Sequence, residues 1–445
     1  MMLGATVLAF WLIVGAGEGL VAPIQAVEGS RHSSAHAVNV LPQVLLALAV
    51  VVIVARAVGA VFRRLGQPPV IGEVVAGIML GPSLLGQIAP QLSARLLPDD
   101  VAPYLSVLAH VGVVLYMFLV GLELDTGQLR KRSHVSVAIS HASIVTPFLL
   151  GSGLALWLYP RLSLSTVPFH IFALFLGVSM SVTAFPVLAR ILTDRGLHAT
   201  SLGTIALTCA AVDDVSAWCL LAFLVGVVQA RPEHILVTLA LVAVYLSVAL
   251  LVMRPAARWL AARYELHDDQ HIDLWAVVLV ALLLSALATE LIGIHALFGA
   301  FLMGAIVPHD SRLAREIHTR LEVPVLVLLL PAFFAFTGMR TEIGLVQGID
   351  QWAICVVIIV VASLGKFGGS VVAARLTGLD WRTSSAIGIL MNTRGLMELI
   401  VLNVGLDLGV LTPTLFAMLV IMALVTTLAT APILDRLAVR LGTPA

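Results

Sequence analysis

The sequence predicts an all-α polytopic membrane protein of about thirteen transmembrane helices, and three observations lead there. First, 60% of the 445 residues are hydrophobic and only 11% charged, against roughly a quarter charged in a soluble domain, which leaves too little polar surface to face water on all sides. Second, apolar runs of about 20 residues, long enough to cross a bilayer as helices, recur with short polar or Gly/Pro punctuation. Third, the connections between them alternate between rich and poor in Lys and Arg.

The runs lie near 41–62, 69–86, 101–122, 135–158, 169–192, 200–229, 235–253, 272–291, 293–307, 321–340, 352–375, 383–405 and 411–434. No hydrophilic stretch is long enough for a soluble domain, so residues 39–445 are expected to form one transmembrane domain. If the first run enters from outside, the inner connections and helix ends carry Arg63, Arg64, Arg130, Lys131, Arg132, Arg190, Arg195, Arg254, Arg258, Arg263, Arg312, Arg315, Arg320, Arg375, Arg382, Arg436 and Arg440. The outer ones carry Arg95, Arg161, Arg231 and Arg340. That asymmetry predicts a cytoplasmic C-terminus. Ahead of the first run, residues 1–38 read as a signal peptide or an extra membrane helix followed by an external polar segment, since Met1 to about Gln25 is apolar but lacks a basic start.

Net charge is zero and no run of like charge is present, which gives no footing for nucleic acid. Cys209, Cys219 and Cys355 sit in apolar runs without metal-ligand spacing and are expected to be small buried hydrophobes. No HExxH, GxSxG or GxxxxGK[ST] motif occurs, so the expected chemistry uses no enzyme motif and no cofactor.

Two runs are interrupted. SMSVTAFPVLAR (179–190) and, seven helices later, ILMNTRGLMELI (389–400) break apolar stretches with small, polar and helix-breaking residues. An odd offset makes two copies face opposite ways, so inverted-topology repeats are expected, with halves of about 69–229 and 293–440. Backbone groups freed at Thr183 and Pro186, or between Asn392 and Gly395, are tolerable at membrane depth only inside protein or around a wet cavity. Paired breaks therefore point to a midplane site. Ser181 and Asn392, beside the breaks, are candidates for the ion path.

Asp213 and Asp214, in CAAVDDVSAW (209–218), fall about 13 residues into their helix and so near the bilayer centre at about 1.5 Å per residue. A carboxylate there costs roughly 2.5–3.5 kcal/mol even on the mild insertion scale. Lys366, one of two lysines in the chain, lies within the helix before the second break and needs an anion. Adjacent helical residues point about 100° apart, so one aspartate can meet Lys366 while its neighbour faces a cavity. Binding or losing a cation beside such a pair can change which group holds the proton; a static buried ion pair is the competing reading. Arg394 and Glu398, four apart, form a local helix pair or compensate freed helix ends. Glu73, a lone intramembrane acid, lines the ion path or bonds a neighbouring helix. Glu123 and Asp125 read as interfacial, and His110, His141 and His295 as isolated side chains that are satisfied or pH-modulating.

QPPVIGEVVAGIMLGPSLLG (67–86), LYMFLVGLELD (115–125), FPVLARILTD (185–194), AAVDDVSAW (210–218) and NTRGLMELIVLNVG (392–405) resemble the monovalent cation/proton antiporter-2 family, in particular plant cation/H⁺ exchangers and their bacterial relatives. The likeness runs from about residue 41 to 435. It implies the sodium/proton antiporter fold, with a dimerisation domain, a mobile core in which two unwound helices cross, and a homodimer in the cell (inner) membrane. It implies that Asp214 takes Na⁺ or K⁺ in exchange for protons, that Thr183 lies at a crossing, and that Asp213 pairs with Lys366. A sodium-coupled organic-anion symporter of similar fold is the alternative. An intramembrane aspartyl protease is disfavoured, because its two carboxylates must converge on one water whereas neighbours on one helix diverge.

Overall fold

The computed structural model describes residues 2–23, 40–123, 134–197, 200–229, 235–266 and 271–441. These residues form helices and no strand. In chain order the main helices are α1 (Met2–Gly17), α2 (Val40–Arg64), α3 (Pro69–Leu80), α4 (Ala102–Glu123), α5 (His134–Leu162), α6 (Phe169–Ser181), α7 (Phe185–Asp194), α8 (Ser201–Gln229), α9 (Ile235–Val248) and α10 (Arg254–Leu266). They continue as α11 (His271–Ile292), α12 (Ala296–Ile306), α13 (Arg312–Pro324), α14 (Leu330–Met339), α15 (Gly348–Ser363), α16 (Gly369–Leu376), α17 (Trp381–Met391), α18 (Leu396–Asp407) and α19 (Pro413–Leu441). The polar segment 28–36, Asp125, the Arg130 to Arg132 run and Arg231 lie outside the described residues.

Local sequence explains several of the boundaries. Pro69 opens α3 and Pro186 sits in the first turn of α7, where a missing N–H costs nothing. Asp380 caps α17, accepting from the backbone N–H of Arg382 at 2.9 Å and of Thr383 at 3.1 Å. The Thr383 hydrogen bonds hold its carboxyl below the usual range.

Among the described residues eleven helices are long and apolar enough to cross a membrane, and the bent pair α17–α18 makes a twelfth. The expected count of thirteen is not reached, because the 293–307 run yields only the 11 residues of α12. Gly293 at φ 91° and His295 at φ 74° form a left-handed turn that starts α12 late, and extended backbone at Val307 ends it. α1, at 16 residues, also falls short of a span and packs on α5 and α6, with the Phe10 and Phe148 rings 5.5 Å apart.

Packing is dense within two groups, α2–α4 with α9–α14 and α5–α8 with α15–α19, and sparser between them, chiefly where α14 meets α18 and α3 meets α19. Glycines let backbones touch inside each group. A Cβ on Gly304 of α12 would lie 2.2 Å from the Phe118 carbonyl oxygen of α4, so this crossing admits hydrogen alone. The outer faces carry large apolar side chains such as Leu251, Leu291 and Leu376, while Asp213, Asp214, Lys366, Arg394 and Glu398 are buried. Apolar outside and charged inside is the pattern for a lipid-solvated chain.

Candidate functional site: the crossing of two broken helices

α6 stops at Ser181, the backbone runs extended through Val182 to Ala184, and α7 resumes at Phe185. α17 stops at Met391 and α18 resumes at Leu396, bent by 41°. The breaks meet directly. The Ala184 N–H donates to the Thr393 carbonyl at 3.0 Å, so the backbone freed in one helix is satisfied by the other. Thr427 of α19 braces the second break, accepting from the Arg394 N–H at 2.9 Å and donating to the Arg394 carbonyl at 2.7 Å.

The carbonyls at the C-terminal end of α6 carry a partial negative charge and have no helical partner. Two cations supply one. Arg394 donates through Nη1 to Ser179 O at 3.1 Å and through Nη2 to Met180 O at 2.9 Å. Lys366 Nζ donates to Ser181 O at 2.5 Å and to Ser143 O of α5 at 2.9 Å. Arg394 also pairs with Glu398 at 3.1 Å, both fully buried. Arg394 thus forms a local helix pair with Glu398 and itself covers two freed carbonyls.

Lys366 sits in a π-helical turn, Leu364–Gly368, between α15 and α16, the kind of bulge that re-aims a side chain inside a helix. Gly365 abuts Pro147 so closely that a Cβ would stand 2.8 Å from its Cα. That contact brings the lysine against α5.

The two aspartates have opposite surroundings. Asp213 is saturated: Oδ1 accepts from Ser140 Oγ at 2.7 Å, and Oδ2 from Ser143 Oγ at 2.5 Å, Thr183 Oγ1 at 2.8 Å and Lys366 Nζ at 3.1 Å. Asp214 is 4% exposed, and neither carboxylate oxygen has a hydrogen-bond partner. The Phe185 N–H, at the positive end of α7, approaches it without completing a hydrogen bond. Nearly all buried polar atoms in folded proteins are paired, so a carboxylate with both oxygens open stands apart from the rest of this network. The second break holds further open atoms, Asn392 Oδ1, Thr393 Oγ1 and Glu398 Oε1.

Other residues singled out in the sequence stand differently. Thr183 directs its proton to Asp213 rather than to its neighbour. Ser181 turns its hydroxyl to the Ile144 and Gly177 carbonyls, and only its own carbonyl joins the site. Glu73 is buried on α3, close to Gly59 of α2, and no hydrogen bond or ion pair ties it to this network. Cys219 is exposed, unlike Cys209 and Cys355, because its face of α8 looks outward. His110, expected to be isolated, lies 3.7 Å from Asp407. Sequence reasoning missed Ser140 and Ser143, although Ser136, Ser140 and Ser143 recur at helical spacing and mark one polar face of α5. It also missed the π-turn, which has no sequence signature beyond the glycines around Lys366.

The family sequence model described as sodium/hydrogen exchanger, transmembrane, matches residues 34–437. The chain is 44% identical over 403 residues to the Na⁺/H⁺ antiporter NhaS4 of Synechocystis sp., covering 90% of this chain and 98% of that protein. It is 37% identical over 405 residues to cation/H⁺ antiporter 20 of Arabidopsis thaliana, covering 88% of this chain and 48% of that one. With K⁺/H⁺ antiporter 1 of Saccharomyces cerevisiae it shares 32% identity over 381 residues, 84% of this chain and 44% of that one. It therefore spans about half the length of the plant and yeast relatives. Its fold superposes on the sodium proton antiporter MjNhaP1 of Methanocaldococcus jannaschii, solved at pH 8, with a TM-score of 0.65 and 15% identity over 91% of this chain and all of that one. A family match across most of the length and high identity to a relative covered almost end to end agree with the crossing of broken helices: the chain belongs to the sodium/hydrogen exchanger family of membrane transporters.

Proposed function

We propose that this chain exchanges a monovalent cation, Na⁺ or K⁺, for protons across the cell (inner) membrane by alternating access, with Asp214 as the group that holds the cation or the proton. The observation that carries this reading is the contrast between neighbours: Asp213 is saturated by three hydroxyls and an ammonium, whereas both oxygens of Asp214 are buried and open. An aspartate that must alternate between two ligands should keep no permanent donor, because each donor would have to be displaced on every cycle.

In this reading the chain's residues divide the work. Lys366 and Arg394 neutralise the C-terminal end of α6 and fix the crossing, so the broken backbone does not itself compete for the ion. Asp213 anchors Lys366 and holds α5, the first break and the π-turn together. Asn392 and Thr393, with open side-chain oxygens beside the second break, are neutral donors that suit an alkali ion shedding its water. Glu398 compensates the charge of Arg394, and Glu73 remains a candidate for the ion path. The chain would work as a homodimer with its C-terminus in the cytoplasm, as the family resemblance and the Lys/Arg asymmetry of the connections suggest.

The organic-anion symporter is not supported, since the similar proteins carry antiporter names. The decisive experiment is reconstitution in proteoliposomes with an imposed pH gradient. Na⁺ or K⁺ alone should dissipate the gradient; a gradient untouched by any alkali cation would overturn the reading.

A further inference from the structure

A polar cluster at the C-terminal end of α18 takes no part in the chemistry at the crossing. Asp407, the last residue of α18, is gripped by Arg340 at the end of α14, with Nη2 2.7 Å from Oδ1. One turn earlier Asn403 donates to Thr337 Oγ1 of α14 at 2.8 Å and accepts from Arg340 Nη1 at 3.2 Å. His110 of α4 brings Nε2 within 3.7 Å of Asp407 Oδ2. All of these ties cross between the two helix groups, since α18 packs with one and α4 and α14 with the other.

The orientation of His110 gives the cluster a dependence on protons. Nδ1 lies 2.7 Å from the Ser106 carbonyl, an acceptor, so Nδ1 carries a hydrogen in either protonation state. In the neutral ring Nε2 is then a lone pair facing a carboxylate, and only a second proton turns that contact into an ion pair. The charged groups around the ring are Asp407 on α18, Arg340 on α14, and His295 with Glu290 at the junction of α11 and α12. His110 and Asp407 are 44% and 40% exposed in their side chains, and Asp407 closes α18, so the cluster stands at a helix end, where one face of the membrane can supply its protons.

We infer that His110, Arg340 and Asp407 form a latch between the two helix groups, tightened by protons from the adjoining solution, that must open for the groups to slide past each other. The inference rests on the exchange reading, because sliding is what alternating access requires. An acid solution on this face would hold α18 against α4 and α14 and slow the cycle. The device differs in role from Asp214: it gates a motion and touches no cargo.

Three measurements test it. Acidifying the face that bears Arg340 should slow exchange by wild-type protein in proteoliposomes, and His110→Gln or Asp407→Asn should remove most of that slowing while keeping alkaline rates within about twofold. A His110→Gln profile that overlays the wild type overturns the latch. In a background freed of Cys209, Cys219 and Cys355, Asn403→Cys with Thr337→Cys, once cross-linked, should lose at least about tenfold in exchange and recover on reduction; full exchange by cross-linked protein overturns it. Backbone hydrogen exchange over 404–412, followed in an Asp214→Asn background, reads the latch without transport. It should slow on acidification beyond the intrinsic chemical effect and speed up with Asp407→Asn, and no such change would overturn the latch even if the protein exchanged cations. Wild-type protein that fails to exchange any alkali ion, yet shows these hydrogen-exchange changes, would fail the exchange reading alone.

Discussion

Lys366 Nζ lies 3.1 Å from Asp213 Oδ2, with both side chains completely buried, so neither charge can turn to water if its partner is removed. Breaking such a pair costs about 3–5 kcal/mol, whereas removing both charges is often neutral. Lys366→Ala should therefore lower stability by about that amount, and Asp213→Asn combined with Lys366→Gln should recover much of it. A thermal-melting cycle checks this; strictly additive losses would show that the two groups do not couple, since residues in contact interact by about 0.5 kcal/mol or more.

Asp214→Asn should abolish exchange at every pH yet melt close to wild type. The side chain makes no hydrogen bond that the amide would lose, and an amide neither releases a proton nor offers charge to a cation. Vesicle flux and a melting curve on the same preparation check both halves. Substantial flux from this variant would move the site elsewhere.

Ser143→Ala removes a donor that reaches Asp213 Oδ2 at 2.5 Å. A hydrogen bond to a charged group contributes about 1.5–3 kcal/mol, so a loss in that range is expected, with Ser140→Ala similar. Thr183→Val removes another of these donors and keeps the volume, and it should also raise the half-saturating cation concentration, because Thr183 stands in the α6–α7 break whose Phe185 N–H approaches Asp214. Urea or thermal unfolding, paired with flux against cation concentration, separates the stability effect from the affinity effect.

Arg394→Gln should be more damaging than either. It uncovers the Ser179 and Met180 carbonyls and strands Glu398, a loss of about 3–5 kcal/mol by the same logic of an unpaired buried charge. Adding Glu398→Gln should restore part of it, as melting of the double variant would reveal.

Gly304→Ala tests the helix contacts that hold the scaffold. The added Cβ would meet the Phe118 carbonyl oxygen at 2.2 Å, and α4 and α12 must separate to admit it, at a cost of about 1–3 kcal/mol for overpacking. Gly153, with no neighbour within 4 Å of a built Cβ, is the control: Gly153→Ala should leave the melting temperature unchanged or higher, helped by helix propensity.

What the sequence determined by itself is what single helices and single residues impose. Apolar runs of bilayer length place the spans, Pro186 and the polar residues from Asn392 to Gly395 place the two breaks, and the expense of carboxylates at membrane depth singles out Asp213 and Asp214. Those signals are local, or depend on the energy of a residue against lipid, and neither needs a neighbour. Tertiary structure decided everything that depends on which helices touch. It made Asp213 rather than Asp214 the saturated aspartate, because Ser140 and Ser143 on α5 and Lys366 in a π-turn converge on one side of α8. It gave Thr183 to Asp213, set Glu73 beside Gly59 of α2, reduced one expected span to the 11 residues of α12, and joined His110 to Asp407 across 297 positions of sequence. Hydrogen bonds act over about 3 Å and must be satisfied wherever water is absent, so the partner each buried group takes is fixed by packing between helices, which no single stretch of sequence encodes.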